Sequence, residues 1–186
     1  SITMEKARIT KDDIQNPAYE RHVALGWNYR MSDVVGVVAL AQTERMEQLC
    51  DMRKASGKII EEGAAGCDWL IPQHTPAECE HAYWAVAIRM VNPDITWYDF
   101  RKKFMELGGD GIYAAWQLSY NEPVFRNKTF LGRERLFEGY TYEKGLCPVA
   151  EMLQPQLLQF KTNYFDTDEA EAQAEILRKT IAYFGK

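Results

Sequence analysis

Leu25-Gly26-Trp27-Asn28-Tyr29-Arg30-Met31-Ser32-Asp33 runs directly into Val34-Val35-Gly36-Val37-Val38-Ala39-Leu40-Ala41-Gln42, and this passage sets the organisation of the chain. Upstream, residues 1–25 are polar and without a sustained period, and Asn16-Pro17 breaks any helix there. That stretch reads as an arm or interface segment, residues 1–31. At Ser32 the character changes. Its hydroxyl can cap a helix, and Asp33 favours a helix N-terminus. Met46, Leu49, Met52, Ile59 and Ile60 then recur on one helical face. The pattern predicts one long helix within residues 32–63, from about Asp33 to Glu62, roughly 45 Å at 1.5 Å per residue. A helix of that length usually spans two domains or subunits.

Downstream, residues 64–186 read as a small α+β domain. Gly63 to Gly66 stops the helix, and Pro72 to Pro76 reads as a loop. Tyr83 to Met90 alternates as a strand, with Trp84, Val86, Ile88 and Met90 on one face. Thr96 and Asp99 form a capping box for a short helix with Trp97, Phe100, Phe104 and Leu107 along one side, ended by Gly108. Gly111 to Trp116 and Leu157 to Thr162 are further strands. Between them, Tyr120 to Gly145 is a long ordered loop rich in Asn, Gly, Arg and aromatic residues, a kind of loop that is more often functional than idle. Pro148 opens a short helix that Pro155 ends. Asp166 and Glu169 cap a final helix whose stripe is Ala170, Ala174, Leu177, Ile181 and Phe184. The order implies helices laid on a small antiparallel sheet.

The 186 residues, 46% hydrophobic and 26% charged, suit a globular chain, and a net charge of −5 argues against a nucleic-acid footprint. No apolar run reaches the roughly 18 residues of a membrane helix, and no signal segment opens the chain. Cys50, Cys67, Cys79 and Cys147 are scattered, and read as cytosolic thiols. The chain opens at Ser1 without an initiator Met, a hint of processing or truncation. Cys67, His74, Cys79 and His81 offer zinc-compatible side chains, but their spacing fits no standard finger and no metal is expected.

The run from Leu25 to Asp33 closely resembles the Gly-[Tyr/Trp]-Asn-Tyr-Arg-Met-[Ser/Thr] signature of the DegT-type (DegT/DnrJ/StrS) sugar-nucleotide aminotransferases. Ala39-Leu40-Ala41-Gln42 and Cys147-Pro148-Val149-Ala150-Glu151 are similar to two further stretches of that family. The resemblance covers essentially the whole chain. It implies the C-terminal small domain of a fold-type I (aspartate-aminotransferase-like) enzyme that uses pyridoxal phosphate (PLP), with a long interdomain helix and a small antiparallel sheet. It also implies a cytoplasmic homodimer and a keto sugar nucleotide as substrate, in amino-sugar or cell-surface polysaccharide synthesis. The partners are then an N-terminal large domain and a second subunit, with no nucleic acid and no membrane.

In the family the motif asparagine reaches the cofactor phosphate across the dimer interface, a role that carries over to Asn28. A neutral amide can donate to a phosphate oxygen. On the residues alone, Asn28 reads as a local turn cap, and it is the motif context that points to the phosphate. Arg30 is a candidate substrate or dimer contact through its fork of donors, or a structural ion pair. Trp116 and Tyr120 are candidate substrate or dimer contacts as well, although aromatic residues are core by default.

The Schiff-base lysine is missing. None of the eleven lysines precedes a Gly-Glu-Gly-Gly-like turn, so no catalytic residue is assigned, and the chain alone is expected to be inactive and to bind no PLP. After Gly111-Ile112 the sequence also departs from the family's substrate loop, which leaves the sugar open. A non-catalytic aminotransferase-fold module for binding or assembly is the alternative reading.

Overall fold

The computed structural model describes residues 31–128 and 133–185. The chain divides into two compact units, residues 1–45 and 46–186. In the first, Ser32 accepts from the Val35 amide and opens helix α1, Asp33–Glu44. Its apolar residues Val34, Val35, Val37, Val38 and Leu40 are all exposed. The helix ends at Arg45, whose amide turns back to the carbonyls of Gln42 and Thr43. A second helix, α2, covers Met46–Gly63. The expected single helix from Asp33 to Glu62 is therefore interrupted at Arg45, where ψ is 3°. No Gly or Pro announces the break.

The second unit is built on a four-stranded sheet in the order β1-β2-β4-β3, from β1 (Leu70–Pro72), β2 (Ala85–Met90), β3 (Tyr113–Ala114) and β4 (Leu157–Lys161). All three pairings are antiparallel. Strand β1 was expected to be loop at Pro72. It pairs only with β2, and an edge strand tolerates a proline that donates no ladder bond.

One face of the sheet is the core. Val86, Ile88, Met90, Leu158 and Phe160 point into it. Against them pack helix α3 (Trp97–Glu106) through Phe100 and Phe104, and helix α6 (Thr167–Phe184) through Ala174, Leu177 and Ile181. Burying one such large side chain contributes about 1.5–3 kcal/mol, so the two apolar stripes outweigh their caps, each typically ~1 kcal/mol. The caps are nonetheless in place: Thr96 accepts from the Asp99 amide and Asp166 from the Glu169 amide. Leu107, expected on the buried side of α3, is instead the half-exposed residue that ends the helix.

Helix α2 meets α6 through small residues. Its buried positions are Ser56, Gly57, Ile60 and Gly63, not the larger Met46 or Leu49 of the sequence pattern. A Cβ on Gly63 would lie 3.1 Å from the Ala174 backbone, so the helices touch there almost main chain to main chain.

The other face of the sheet carries Ala85, Ala87, Arg89, Tyr113, Gln159 and Lys161, none of them buried. In register, Ala87, Gln159 and Tyr113 stand side by side across three strands. Two short helices, α4 (Pro123–Arg126) and α5 (Pro148–Leu153), flank the loop that follows β3.

Candidate functional site

Among the described residues, Trp84 and Trp116 line clefts at the open face, and Tyr120 stands in the loop after β3. Trp84, expected to share the core face of β2, is exposed instead. The cause lies one residue earlier. Tyr83 adopts φ 50°, so the chain turns over before the ladder starts at Ala85. Three contacts hold that turn. The Tyr83 ring lies over Gly57, its hydroxyl donates to Glu61 at 2.9 Å, and its carbonyl accepts from the buried Thr162. Burial, and then the Glu61 carboxylate, push the Tyr83 phenol up to about 12. Arg53 on α2 donates to the Trp84 carbonyl and to Thr162, both at 3.2 Å.

Trp116 is presented in the same manner. Ala115 before it adopts φ 47°, its amide donates to Leu157 at 3.0 Å, and its carbonyl accepts from Gln154. The Trp116 ring meets Tyr113 edge-on at 5.1 Å. Behind them lies a cleft of about 250 Å³ between β3, β4 and α5, whose walls include Tyr113, Trp116, Leu153, Gln154 and Gln159. A second cleft, of about 210 Å³, adjoins it and is lined by Arg53, Trp84, Tyr113, Gln159, Lys161 and Asn163. The Lys161 amine sits 2.6 Å from Asp110. Burial alone would raise the Asp110 carboxyl, but its bonds from Lys161 and Tyr164 outweigh burial and hold it below the usual carboxylate range.

Tyr120 lies at the start of the loop that follows. Its hydroxyl donates to Glu151 Oε1 at 2.5 Å, and the Gly145 amide donates to the same oxygen at 2.7 Å. The Glu151 of the Cys-Pro-x-Ala-Glu stretch thus ties both ends of the loop from Tyr120 to Gly145 to helix α5. The bond from Tyr120, followed by that from Gly145, lowers the Glu151 carboxyl, while desolvation and Glu151 push the Tyr120 phenol up to about 12.

Asn28 and Arg30, as well as Trp27 and Tyr29, lie outside the described residues. Sequence reasoning missed Gln159 and Arg53. The alternation of β4 was the available signal for Gln159, because it assigns that residue to the open face opposite Leu158 and Phe160. The four zinc-compatible side chains do not gather: Cys67 is buried in the core, Cys79 is exposed, and His81 accepts from the Tyr83 amide. Among the described residues no group of three or more such side chains comes together, and no helix is long and apolar enough to cross a membrane.

A pyridoxal-phosphate site needs a lysine facing an enclosed, polar cleft. Among the described residues, Lys54, Lys103, Lys161 and Lys179 lie on carboxylates, Lys128 donates to the Glu138 carbonyl, and Lys58, Lys102 and Lys144 are exposed on the surface. The larger cleft has no lysine in its walls. The described residues do not fit the cofactor by themselves.

No curated protein matches the chain by sequence. Solved structures do resemble it. The aminotransferase from Psychrobacter cryohalolentis has a TM-score of 0.70 at 19% identity, over 94% of this chain and 46% of its own. DesV of S. venezuelae, in complex with a ketimine intermediate, has a TM-score of 0.68 at 15% identity, over 88% and 40%. PseC of Helicobacter pylori, an aminotransferase of pseudoaminic acid biosynthesis, has a TM-score of 0.67 at 12% identity, over 91% and 43%. These likenesses establish the fold, and the chain spans less than half the length of each relative. The profile of the DegT/DnrJ/EryC1/StrS aminotransferase family matches residues 4–176, and the chain belongs to that family.

Proposed function

We propose that this chain is the C-terminal, small-domain part of a pyridoxal-phosphate aminotransferase acting on a keto sugar nucleotide, and that it does not catalyse alone. One observation carries the reading: a family match over nearly the whole chain that accounts for under half of each related structure. An N-terminal large domain then supplies the Schiff-base lysine and the cofactor pocket, and a second subunit completes a cytoplasmic homodimer serving amino-sugar or cell-surface polysaccharide synthesis. The cofactor, when bound, provides the electron sink for transamination. The residues of this chain bind and orient. Asn28 donates its amide to the cofactor phosphate of the partner subunit, and Arg30, Trp116 and Tyr120 contact substrate or partner, Tyr120 from the loop that its bond to Glu151 fixes.

Asn28→Ala in the complete enzyme tests this reading. A hydrogen bond to a charged acceptor nets about 1.5–3 kcal/mol, so cofactor affinity is expected to fall roughly ten- to hundredfold, with an unchanged melting temperature. Unchanged affinity together with a loss of about 1 kcal/mol in folding would mean that Asn28 only caps a turn. The second reading, a non-catalytic module for binding or assembly, draws on the missing Schiff-base context. It requires that the complete protein show no transamination with any keto sugar nucleotide.

A further inference from the structure

Residues 73–84 connect β1 to its antiparallel neighbour β2. The end of that connection is fastened to α2 and β4. Glu80 holds Lys54 at 2.6 Å, the Tyr83 hydroxyl lies on Glu61, and Thr162 and Arg53 donate to the carbonyls of Tyr83 and Trp84. One further bond lies inside the turn itself, where the Tyr83 amide donates to His81 Nδ1 at 2.8 Å. Tyr83 sits at φ 50° without the short polar side chain that lets Asn and Asp settle at such angles, so its neighbours have to keep it there. A side-chain acceptor closing onto the amide two residues later is the bond that Asn and Asp make in an Asx turn. His81 stands in the place of such a residue, with one difference: its acceptor titrates.

An amide can only donate, so Nδ1 is the bare nitrogen of a neutral ring and Nε2 carries the proton. Protonation puts a hydrogen on Nδ1, after which both ring nitrogens donate. The Tyr83 amide then loses its acceptor and faces a like donor, and an amide left unpaired costs more than the bond it made was worth. Histidine is the side chain whose charge ordinarily changes between pH 5 and 8. The charged and titratable groups of this corner are few. Helix α2 brings Glu61, Lys54 and the exposed Lys58, the connection brings Glu80, and β4 brings Lys161, which lies on Asp110. The bond from Lys54 holds the Glu80 carboxyl below its ordinary range, and the Tyr83 phenol is pushed up to about 12, so neither changes charge in that window. The His81 ring also lies against the Tyr83 ring, with centroids 4.3 Å apart. A change in its charge or tilt is therefore felt by the ring that fills the space over Gly57.

We propose that His81 is a pH-sensitive latch on the connection between β1 and β2. With a neutral ring it closes the turn at Tyr83 and keeps Trp84 exposed beside Arg53. With a protonated ring it lets go of the amide, Tyr83 leaves its left-handed angle, and Trp84 moves from its place in the wall of the cleft that Arg53, Lys161 and Asn163 share with it. The latch is thus shut at neutral pH and opens as pH falls. It does not depend on the proposed function.

The 186-residue chain, kept dilute, is followed by NMR from about pH 8 to about pH 5.5. The Tyr83 amide, the indole N–H signals and the ring signals of His81 and His74 are read together. We expect the Tyr83 amide and the Trp84 indole to shift with the midpoint of the His81 ring, while the indole of the core Trp69 stays in place. Protection of the Tyr83 amide against hydrogen exchange, corrected for the intrinsic effect of pH, should fall about tenfold or more across that transition. His81→Asn supplies an acceptor that does not titrate two residues before the same amide, and should hold the Trp84 signal at its high-pH position throughout. His81→Ala should give the low-pH signal already at pH 8, and His74→Gln, at an exposed position in the same connection, should leave the transition unchanged. The latch is overturned if the Tyr83 amide keeps its shift and protection through the His81 transition, if Trp84 moves with a different midpoint, or if His81→Asn retains the pH dependence. Each of those results leaves the aminotransferase reading standing, because that reading fails separately, through the cofactor affinity of Asn28→Ala.

Discussion

A methyl group added at Gly57 would sit 2.3 Å from Cδ1 of the Tyr83 ring and 2.9 Å from its Cβ. The ring cannot swing aside cheaply, since Tyr83 is fixed at a left-handed φ and its hydroxyl is bound to Glu61. Alanine in a helix interior is worth roughly 0.5–1 kcal/mol over glycine, whereas overpacking a tight contact typically costs about 1–3 kcal/mol. Gly57→Ala should therefore destabilise the chain by about 1–2 kcal/mol, measured by denaturant unfolding, despite the better helix former. In the background of Tyr83→Ala the same change should become neutral or stabilising. A Gly57→Ala protein as stable as its parent, with Trp84 still exposed, would show that the glycine is not what admits the Tyr83 ring.

Helix α5 works through a single carboxylate oxygen. Glu151→Gln keeps the shape but weakens the acceptor for Tyr120 and Gly145. The loop from Tyr120 to Gly145 should then be cut by protease several-fold faster, and the Tyr120 phenol should titrate nearer its ordinary value of about 10. The pH window follows from the two shifts. Glu151 is lowered in the folded chain, so its contribution is present above the ordinary glutamate value near 4.3 and fades as pH falls through the depressed one. Tyr120 is raised to about 12, so its contribution is full below roughly pH 10 and disappears as pH climbs toward 12. Protection of the loop against proteolysis should hold between those limits, and a flat profile below pH 4 would rule the carboxylate out. Much at this scale was legible in the sequence. Thr96 and Asp166 announced their helices by capping chemistry, and the stripe of α6 by its period. The break at Arg45 was not, since it depends on how one amide bonds and not on a breaker residue. The outward turn of Trp84 was hidden because its cause, the space over Gly57 that admits the Tyr83 ring, lies on helix α2, far from it in sequence. The candidate site was half visible. Trp116 stood out as an aromatic residue in a departing loop, but a lone glutamine on a strand carries no signal until the cleft it lines is seen.

For the molecule as a whole, helix α1 presents Val34, Val35, Val37, Val38 and Leu40 to solvent. A helix apolar nearly all round is stable only when something covers it. The isolated chain should accordingly self-associate with increasing concentration in sedimentation velocity runs, and Val37→Lys should shift it toward monomer. A strictly monomeric parent would count against α1 as a contact surface. The knot at Glu151 has another consequence. Because Tyr120 and Gly145 are fastened to one oxygen, the ends of the intervening segment meet however long or short it is. Closing such a segment costs only about 0.6 kcal/mol for each doubling of its length. The stretch, short helix α4 included, is thus an interchangeable cassette: its contents can be rewritten, extended or grafted from a relative while the sheet, the other helices and the two turned-out indoles stay as they are.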